Sequence, residues 1–257
     1  MIDLHSHLLP GVDDGSRSVR QSVAVLRDLA AAGITDLCLT PHFNASAAER
    51  GLPQAHHRAF DELLAAAPEA PRLHRGAEVM LDRPLTPAAA DRAVAAGVTL
   101  GGSHFMLVEF PRLVPRDTVH TALKQVAGLG LTPLLAHPER YSSCSPMVVR
   151  HWRETGALMQ VDANTLLQPS ERGDRARALV SAGLADVLAA DNHGDDRTLH
   201  AAYQFLVAAG GDVAAELLTV TNPRAILDDG AAQAVPAVPL TAPFAWRLRR
   251  MLGGSGT

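Results

Sequence analysis

The chain has little cysteine, almost no lysine and no long apolar run. Two cysteines in 257 residues, Cys38 and Cys144, cannot build a disulfide framework. A reducing cytoplasm is therefore the default compartment. No stretch approaches the roughly 18 consecutive apolar residues of a membrane span. The opening MIDLHSHLLPGVDDG lacks the basic start and the apolar run of a signal peptide. Lys124 is the only lysine among 23 basic residues, which with the abundant alanine reads as genome composition bias. The formal net charge of −4 argues against a nucleic-acid partner. The length fits one large α/β domain or two small ones, and is enough to bury a core without staples.

What the chain does have is 12 histidines, and their placement is the informative feature. Residues 1–228 alternate short apolar runs with longer amphipathic ones. Strands are expected at Met1–Leu4, Ile34–Thr40, Leu73–Met80, Phe105–Phe110, Leu131–Ala136, Leu158–Val161 and Asp186–Ala190. Ser16 is the expected cap of a first helix ending at Gly33. Further helices are expected over 53–67, 87–96, 115–129, 146–155, 170–182 and 197–209, with short closing ones at 213–218 and 223–227. Several open on proline, which suits a first helical turn.

This alternation implies βαβ units and parallel strands. Nearly every strand ends in a potential ligand: His5 and His7, His42, Glu78, Glu109, His137, Asp162 with Asn164, and Asp191 with His193. An open sheet would spread seven strand ends over roughly 30 Å, whereas a βα barrel brings them to one mouth. A distorted seven-stranded barrel is therefore expected for residues 1–228. Residues 229–257 read differently, as a Pro/Ala-rich linker followed by a short basic tail. Phe244–Leu252 reads as an amphipathic helix that packs on the barrel or touches a membrane surface or partner.

In a strand, residues i and i+2 share a face, so His5 and His7 can reach one ion. Asp3 shares that face and is expected to orient a ligand. The contexts LTPH at His42, LLAHP at His137 and AADNH at His193 repeat one arrangement, an apolar β-run ending in histidine. With Asp14, Glu78, Glu109 and Asp191 these histidines make a nitrogen and oxygen set without thiolate. Such a set suits Mn²⁺, Fe or Zn²⁺ rather than a structural zinc, and is too large for one ion. Closely spaced ions deprotonate water and stabilise a phosphoryl group.

At MIDLHSHLLPGVDDGS, TPHF, GAEVML, LVEFP, AHPERY and AADNH the chain resembles the metal-dependent protein-tyrosine phosphatases of the polymerase-and-histidinol-phosphatase superfamily. These are the CpsB/YwqE-like enzymes of bacterial capsule and exopolysaccharide control. The resemblance implies a distorted seven-stranded barrel with two or three divalent ions, most often manganese. It implies that His5, His7, Glu78 and Asp191 hold one ion. Glu78, Glu109 and His137 would hold a second, and Asp14, His42 and His193 a third, with Asp13 competing for the place of Asp14. Arg140 in HPER is the expected phosphate clamp, since a guanidinium fork matches two phosphate oxygens. Glu139 is expected to orient it or face solvent, and Tyr141 to line the substrate pocket. The implied reaction is hydrolysis of phosphotyrosine by in-line attack of a bridging hydroxide, on the tyrosine-rich tail of a polysaccharide-export kinase. The alternatives are a histidinol-phosphatase-like enzyme on a small phosphate, another metal-dependent hydrolase, and a non-catalytic metal-binding module.

A competing signal is CSPMVVR, Cys144 to Arg150, which matches the C-x5-R pattern of cysteine-dependent phosphatases. Pro146 removes a backbone donor from that loop and no glycine lets it wrap a phosphate, so the cysteine chemistry is not expected.

Overall fold

The computed structural model describes residues 1–241. The chain has a mixed α/β fold in which all paired strands are parallel. The strands are β1 (Ile2–Asp3), β2 (Asp36–Leu39), β3 (His42–Asn44), β4 (Arg72–Arg75), β5 (Glu78–Met80), β6 (Phe105–Glu109), β7 (Thr132–Ala136), β8 (Leu158–Asp162) and β9 (Val187–Ala189). The helices are α1 (Val19–Ala31), α2 (Gln54–Ala66), α3 (Pro87–Ala95), α4 (Arg116–Gly128), α5 (Pro146–Arg153), α6 (Ala163–Leu167), α7 (Glu171–Ser181), α8 (His200–Ala208), α9 (Asp212–Glu216) and α10 (Asn222–Leu227). Among these residues no helix is long and apolar enough to cross a membrane.

Among the described residues sheet hydrogen bonding gives nine strands in two sheets, not seven strands in one. The orders are β1-β2-β4 and β3-β5-β6-β7-β8-β9. The difference arises at two neighbouring interruptions. Pro41, which has no N–H, separates β2 from β3. Gly76 and Ala77 separate β4 from β5. Beyond the breaks pairing resumes, with His42 opposite Glu78 and Asn44 opposite Met80. At the other side of the fold, the His7 N–H donates to the Asn192 carbonyl (2.7 Å) and the Asp191 N–H to that of His5 (3.1 Å). These bonds join the turn after β1 to the turn after β9.

The helix ends follow the expected chemistry with two differences. Proline fills the first turn of α3 and α5 and stands just before α2 and α4. The cap of α1 is Ser18, which accepts the Gln21 N–H, and not Ser16, whose hydroxyl meets that of Ser22 at 2.7 Å. Helix α6 was not expected; Asp162 caps it by accepting the N–H groups of Asn164 and Thr165. Five residues are too few to show a helical period.

Alternating strand residues serve two apolar clusters. Phe105 and Leu107 of β6 join Ile2, Leu4, Cys38, Leu134, Ala136 and Val187 in the smaller one, capped by Ile226 of α10. Met106 and Val108 face the larger cluster, where Leu26, Leu63, Leu123 and Trp152 bring in α1, α2, α4 and α5. Residues 228–241, the described part of the stretch after α10, form no helix or strand, yet they pack on the body. Val235 and Val238 are buried. The Gln233 N–H donates to Asn222 Oδ1 (2.8 Å) and the Leu240 N–H to Ser181 Oγ (3.0 Å). The helix expected over 244–252 lies outside the described residues.

Candidate metal centre

The structure brings all nine sequence-selected ligands to one place. His5 and His7 follow β1, His42 opens β3, Glu78 opens β5, Glu109 ends β6, His137 follows β7, and Asp191 and His193 follow β9. Asp14 arrives from the turn after β1. Ligand atoms of His5, His7 and Asp191 lie within 4.8 Å of one another, as do those of His5, Glu78 and His137. Two further groups are His42 with Glu78 and Glu109, and His7 with Asp14, His42 and His193. Glu109 thus groups with His42 rather than directly with His137.

The backbone is shaped to deliver these side chains. A Cβ on Gly15 would lie 2.0 Å from the His7 carbonyl oxygen, so only glycine lets the DDG turn fold back on the strand end. His137 and Asp191 adopt left-handed backbone, with φ of 34° and 50°. That region is uncommon for residues with a Cβ and costs about 1 kcal/mol or more at each.

The inner part of the cluster poses a proton-counting problem. His5 Nδ1 lies 2.9 Å from Gln160 Oε1, and His7 Nδ1 lies 2.8 Å from Asp13 Oδ2. Both partners only accept, so both Nδ1 atoms carry hydrogen and the neutral rings aim Nε2 lone pairs at each other, 3.1 Å apart. Asp191 Oδ1 lies 3.3 Å from each Nε2, and Glu78 Oε2 lies 3.4 and 3.3 Å away. Asp191 Oδ1 is buried without a hydrogen-bond partner. Four lone pairs therefore converge on one point that must hold protons or a cation. Two imidazoles and two carboxylates form a donor set that a divalent metal fits.

The electrostatics agree. Burial pushes the Glu78 carboxyl up, but His5, His137 and His42 hold it well below the usual range. Burial likewise opposes ionisation of Asp191, and His5, His7 and Arg140 overcome it. Without a cation the imidazoles take up the charge: burial lowers His42, yet Glu109 and Glu78 raise it to about 10. His7 is raised well above its ordinary value against the pull of burial, chiefly by Asp13 and Asp191.

Asp13 and Asp14 divide the work that spacing left open. Asp13 holds His7 and accepts the Gly15 N–H at 3.0 Å. Asp14 stands at the open edge, 3.2 Å from His42 Nε2 and 3.6 Å from His193 Nε2. Asp3 does not touch a ring as expected. It accepts the backbone N–H groups of His5 and Ala190, each at 3.2 Å, and so ties the two strand ends together. Gln160, not selected from the sequence, supplies the contact to the His5 ring.

Arg140 reaches the same mouth from the Pro138–Arg140 turn after β7. Its Nη2 donates to Asp162 Oδ2 (3.0 Å) and to Asp191 Oδ2. Asp162 thus holds Arg140 and caps α6 rather than facing a substrate. Glu139 faces the interior, where burial pushes it up to about 8 and Oε1 accepts the Asp162 N–H at 2.9 Å. Tyr141 does not line the mouth. It is 1% exposed, and its hydroxyl donates to the Ala136 carbonyl and accepts the Phe110 N–H. A second arginine was missed: Arg197, in the turn that carries His193, lies 3.8 Å from Asp191 Oδ2 and grips Asp195. Its position four residues after His193 is the signal that was available.

Cys144 is buried, and burial pushes its thiol up to about 12. Ser145 beside it caps α5. The C-x5-R segment is a helix start, not a phosphate loop. Ser6 Oγ donates to the Cys38 carbonyl at 2.7 Å, which leaves it no nucleophilic role.

Comparison with known proteins adds three relatives. The chain is 27% identical over 248 residues to the tyrosine-protein phosphatase CpsB of Streptococcus pneumoniae, covering 89% of this chain and 99% of that one. It is 30% identical over 201 residues to the tyrosine-protein phosphatase YwqE of Bacillus subtilis (strain 168), covering 75% and 77%. Among solved structures, it aligns with one described under YwqE of Bacillus subtilis and CpsB of Streptococcus pneumoniae, unique metal-dependent tyrosine phosphatases. There the TM-score is 0.72 at 24% identity, over 94% of this chain and 100% of that one. Residues 1–228 match the profile of the capsular polysaccharide synthesis family CpsB/CapC, and the chain belongs to that family.

Proposed function

We propose that this protein is a metal-dependent protein-tyrosine phosphatase. The observation that carries the reading is the convergence of His5 Nε2, His7 Nε2, Glu78 Oε2 and Asp191 Oδ1 within 3.1 to 3.4 Å on a point that must hold protons or a cation. The names of the relatives support the substrate. His5, His7, Glu78 and Asp191 would hold one ion, Glu78 and His137 a second, and Asp14, His42 and His193 a third, with Glu109 standing beside Glu78 and 3.4 Å from His42 Nδ1. Manganese suits this mix of imidazole and carboxylate, and Fe or Zn²⁺ fits it too. Ions held there supply Lewis acidity toward phosphoryl oxygens and a nucleophile from water at neutral pH.

The chain's own groups do the rest. The Arg140 guanidinium, fixed by Asp162 and Asp191, binds phosphate oxygens and turns the ester toward the mouth. A tyrosyl phenol has a pKa of about 10, so its departure needs less protonation than an alkoxide's. That fits a mouth where Glu139 is occupied with the Asp162 N–H and Tyr141 is buried.

We read the two sheets as one distorted seven-stranded barrel, with β2 and β3 as one bent strand and β4 and β5 as another. The backbone bonds between the turns after β1 and β9, and the small apolar cluster shared by β1, β2, β6, β7 and β9, support this. Residues 1–228 would be the catalytic unit and 229–257 an appended segment. We place the protein in the cytoplasm, acting on the tail of a tyrosine kinase of polysaccharide export.

The test is hydrolysis of a phosphotyrosine peptide and of histidinol phosphate, with Mn²⁺ and with chelator. Peptide turnover that chelator abolishes is expected. Turnover of histidinol phosphate alone would move the assignment to small phosphates, and metal binding with no turnover would reduce it to a binding module.

A further inference from the structure

A cavity of about 450 Å³ opens beside the candidate metal centre, between the turn after β5 and helix α4. Its floor is apolar and firm. Leu81, Leu85, Phe110 and Val126 line it, and all four are buried in the packed core. Its rim carries the exposed Asp117, Thr121 and Gln125 of α4 and the exposed Asp82 and Arg83 of the turn after β5. Two of the walls continue the strands that carry ligands. Leu81 lies three residues past Glu78, and Phe110 directly follows Glu109. The Leu81 N–H donates to the Glu109 carbonyl at 2.9 Å, so cavity and ligand are tied through one backbone bond.

We infer that this cavity receives a bulky apolar side chain of the phosphopeptide close in sequence to the phosphotyrosine, and so sets sequence preference. The inference rests on the phosphatase reading above. The occupant follows from continuity with the mouth: a peptide placing its phosphate at the ligands must leave along a rim that this cavity interrupts. An apolar floor with polar and charged groups at the rim matches a buried side chain on a backbone that stays in water. Because the floor is built from core side chains, it exists before the peptide arrives and needs no ordering on binding.

Six pairs of phosphotyrosine peptides test it, each pair identical except for leucine or serine at one of the three positions on either side of the phosphotyrosine. The leucine peptide is expected to show about tenfold higher kcat/KM at one or more positions, equivalent to about 1.4 kcal/mol. Thr121→Trp, which fills the cavity from an exposed helix position, is expected to collapse that ratio to near one. Gln125→Trp serves the same purpose if the first variant does not fold. A wild-type ratio within twofold at all positions, or a ratio that survives either filling variant, would overturn the inference while leaving the phosphatase reading intact. No turnover of any of these peptides with Mn²⁺ present would overturn both.

Discussion

The ligand cluster has two halves that differ in exposure. His5, His7, Glu78, His137 and Asp191 form the inner half, with none more than 2% exposed. His42, Asp14, Glu109 and His193 form the outer half, with side chains 39%, 70%, 12% and 19% exposed. The inner rings of His5 and His7 are each held by a second contact, to Gln160 and Asp13, so their tautomers are set in advance. In the outer half the His42 ring meets only other members of the cluster, Glu78 Oε2 3.0 Å from Nδ1 and Asp14 Oδ1 3.2 Å from Nε2, and His193 Nδ1 lies 2.9 Å from the Asp191 carbonyl. A buried, pre-set half defines where charge must sit, and a half-open one leaves room for a substrate to enter beside it.

That contrast can be broken by substitution. Asp191→Asn in the inner half should lower kcat/KM by about 1,000-fold and reduce bound metal measured per chain, since it removes several kcal/mol of charge stabilisation. Full activity in that variant would deny the inner half its role. Arg140→Ala should cost about 100-fold in kcat/KM on a phosphotyrosine peptide, and Arg140→Lys should recover little because one ammonium cannot grip two oxygens. Asp14→Asn in the outer half should cost only about tenfold, read as a weaker titration of one metal equivalent. Equal losses at Asp14 and Asp191 would erase the distinction between the halves.

Acidity sharpens the same contrast. In the metal-free protein His42 is raised to about 10, so it carries a proton at neutral pH. That proton stabilises the metal-free fold fully below the unfolded value of about 6.5, and the contribution is lost as pH rises through the folded value. Metal uptake must displace such protons, so apparent affinity should rise with pH across the neutral range. Calorimetric titration in two buffers of different ionisation enthalpy reads the protons released; none at pH 7 would contradict the assignment. The smallest effect belongs outside the cluster: Cys144→Ser should leave kcat/KM within about twofold, because a buried thiol raised to about 12 supplies no thiolate. A large loss there would reinstate a cysteine mechanism.

The clustered histidines and most of the carboxylates were legible in the sequence because they sit at the ends of local apolar runs. What a run cannot show is which distant residue meets it. Gln160 lies 155 positions from the His5 ring it holds. Asp13 and Asp14 are adjacent in sequence but face different neighbours, which spacing alone does not separate. Tyr141 follows Arg140, yet the 3-10 turn that ends there sends Arg140 toward the mouth and Tyr141 into the core. Adjacency gives location but not direction. Strand β3 was missed because Pro41 hides the continuation, and α6 because it is five residues long.

The left-handed backbone at His137 and Asp191 has an evolutionary consequence. Each position would be more relaxed as glycine, and neither conformation is needed to close the apolar core. A lineage that no longer needed this chemistry could gain stability by a single substitution at either place. Strain of this kind is a standing pressure toward loss, set against whatever the His137 and Asp191 side chains do at the cluster.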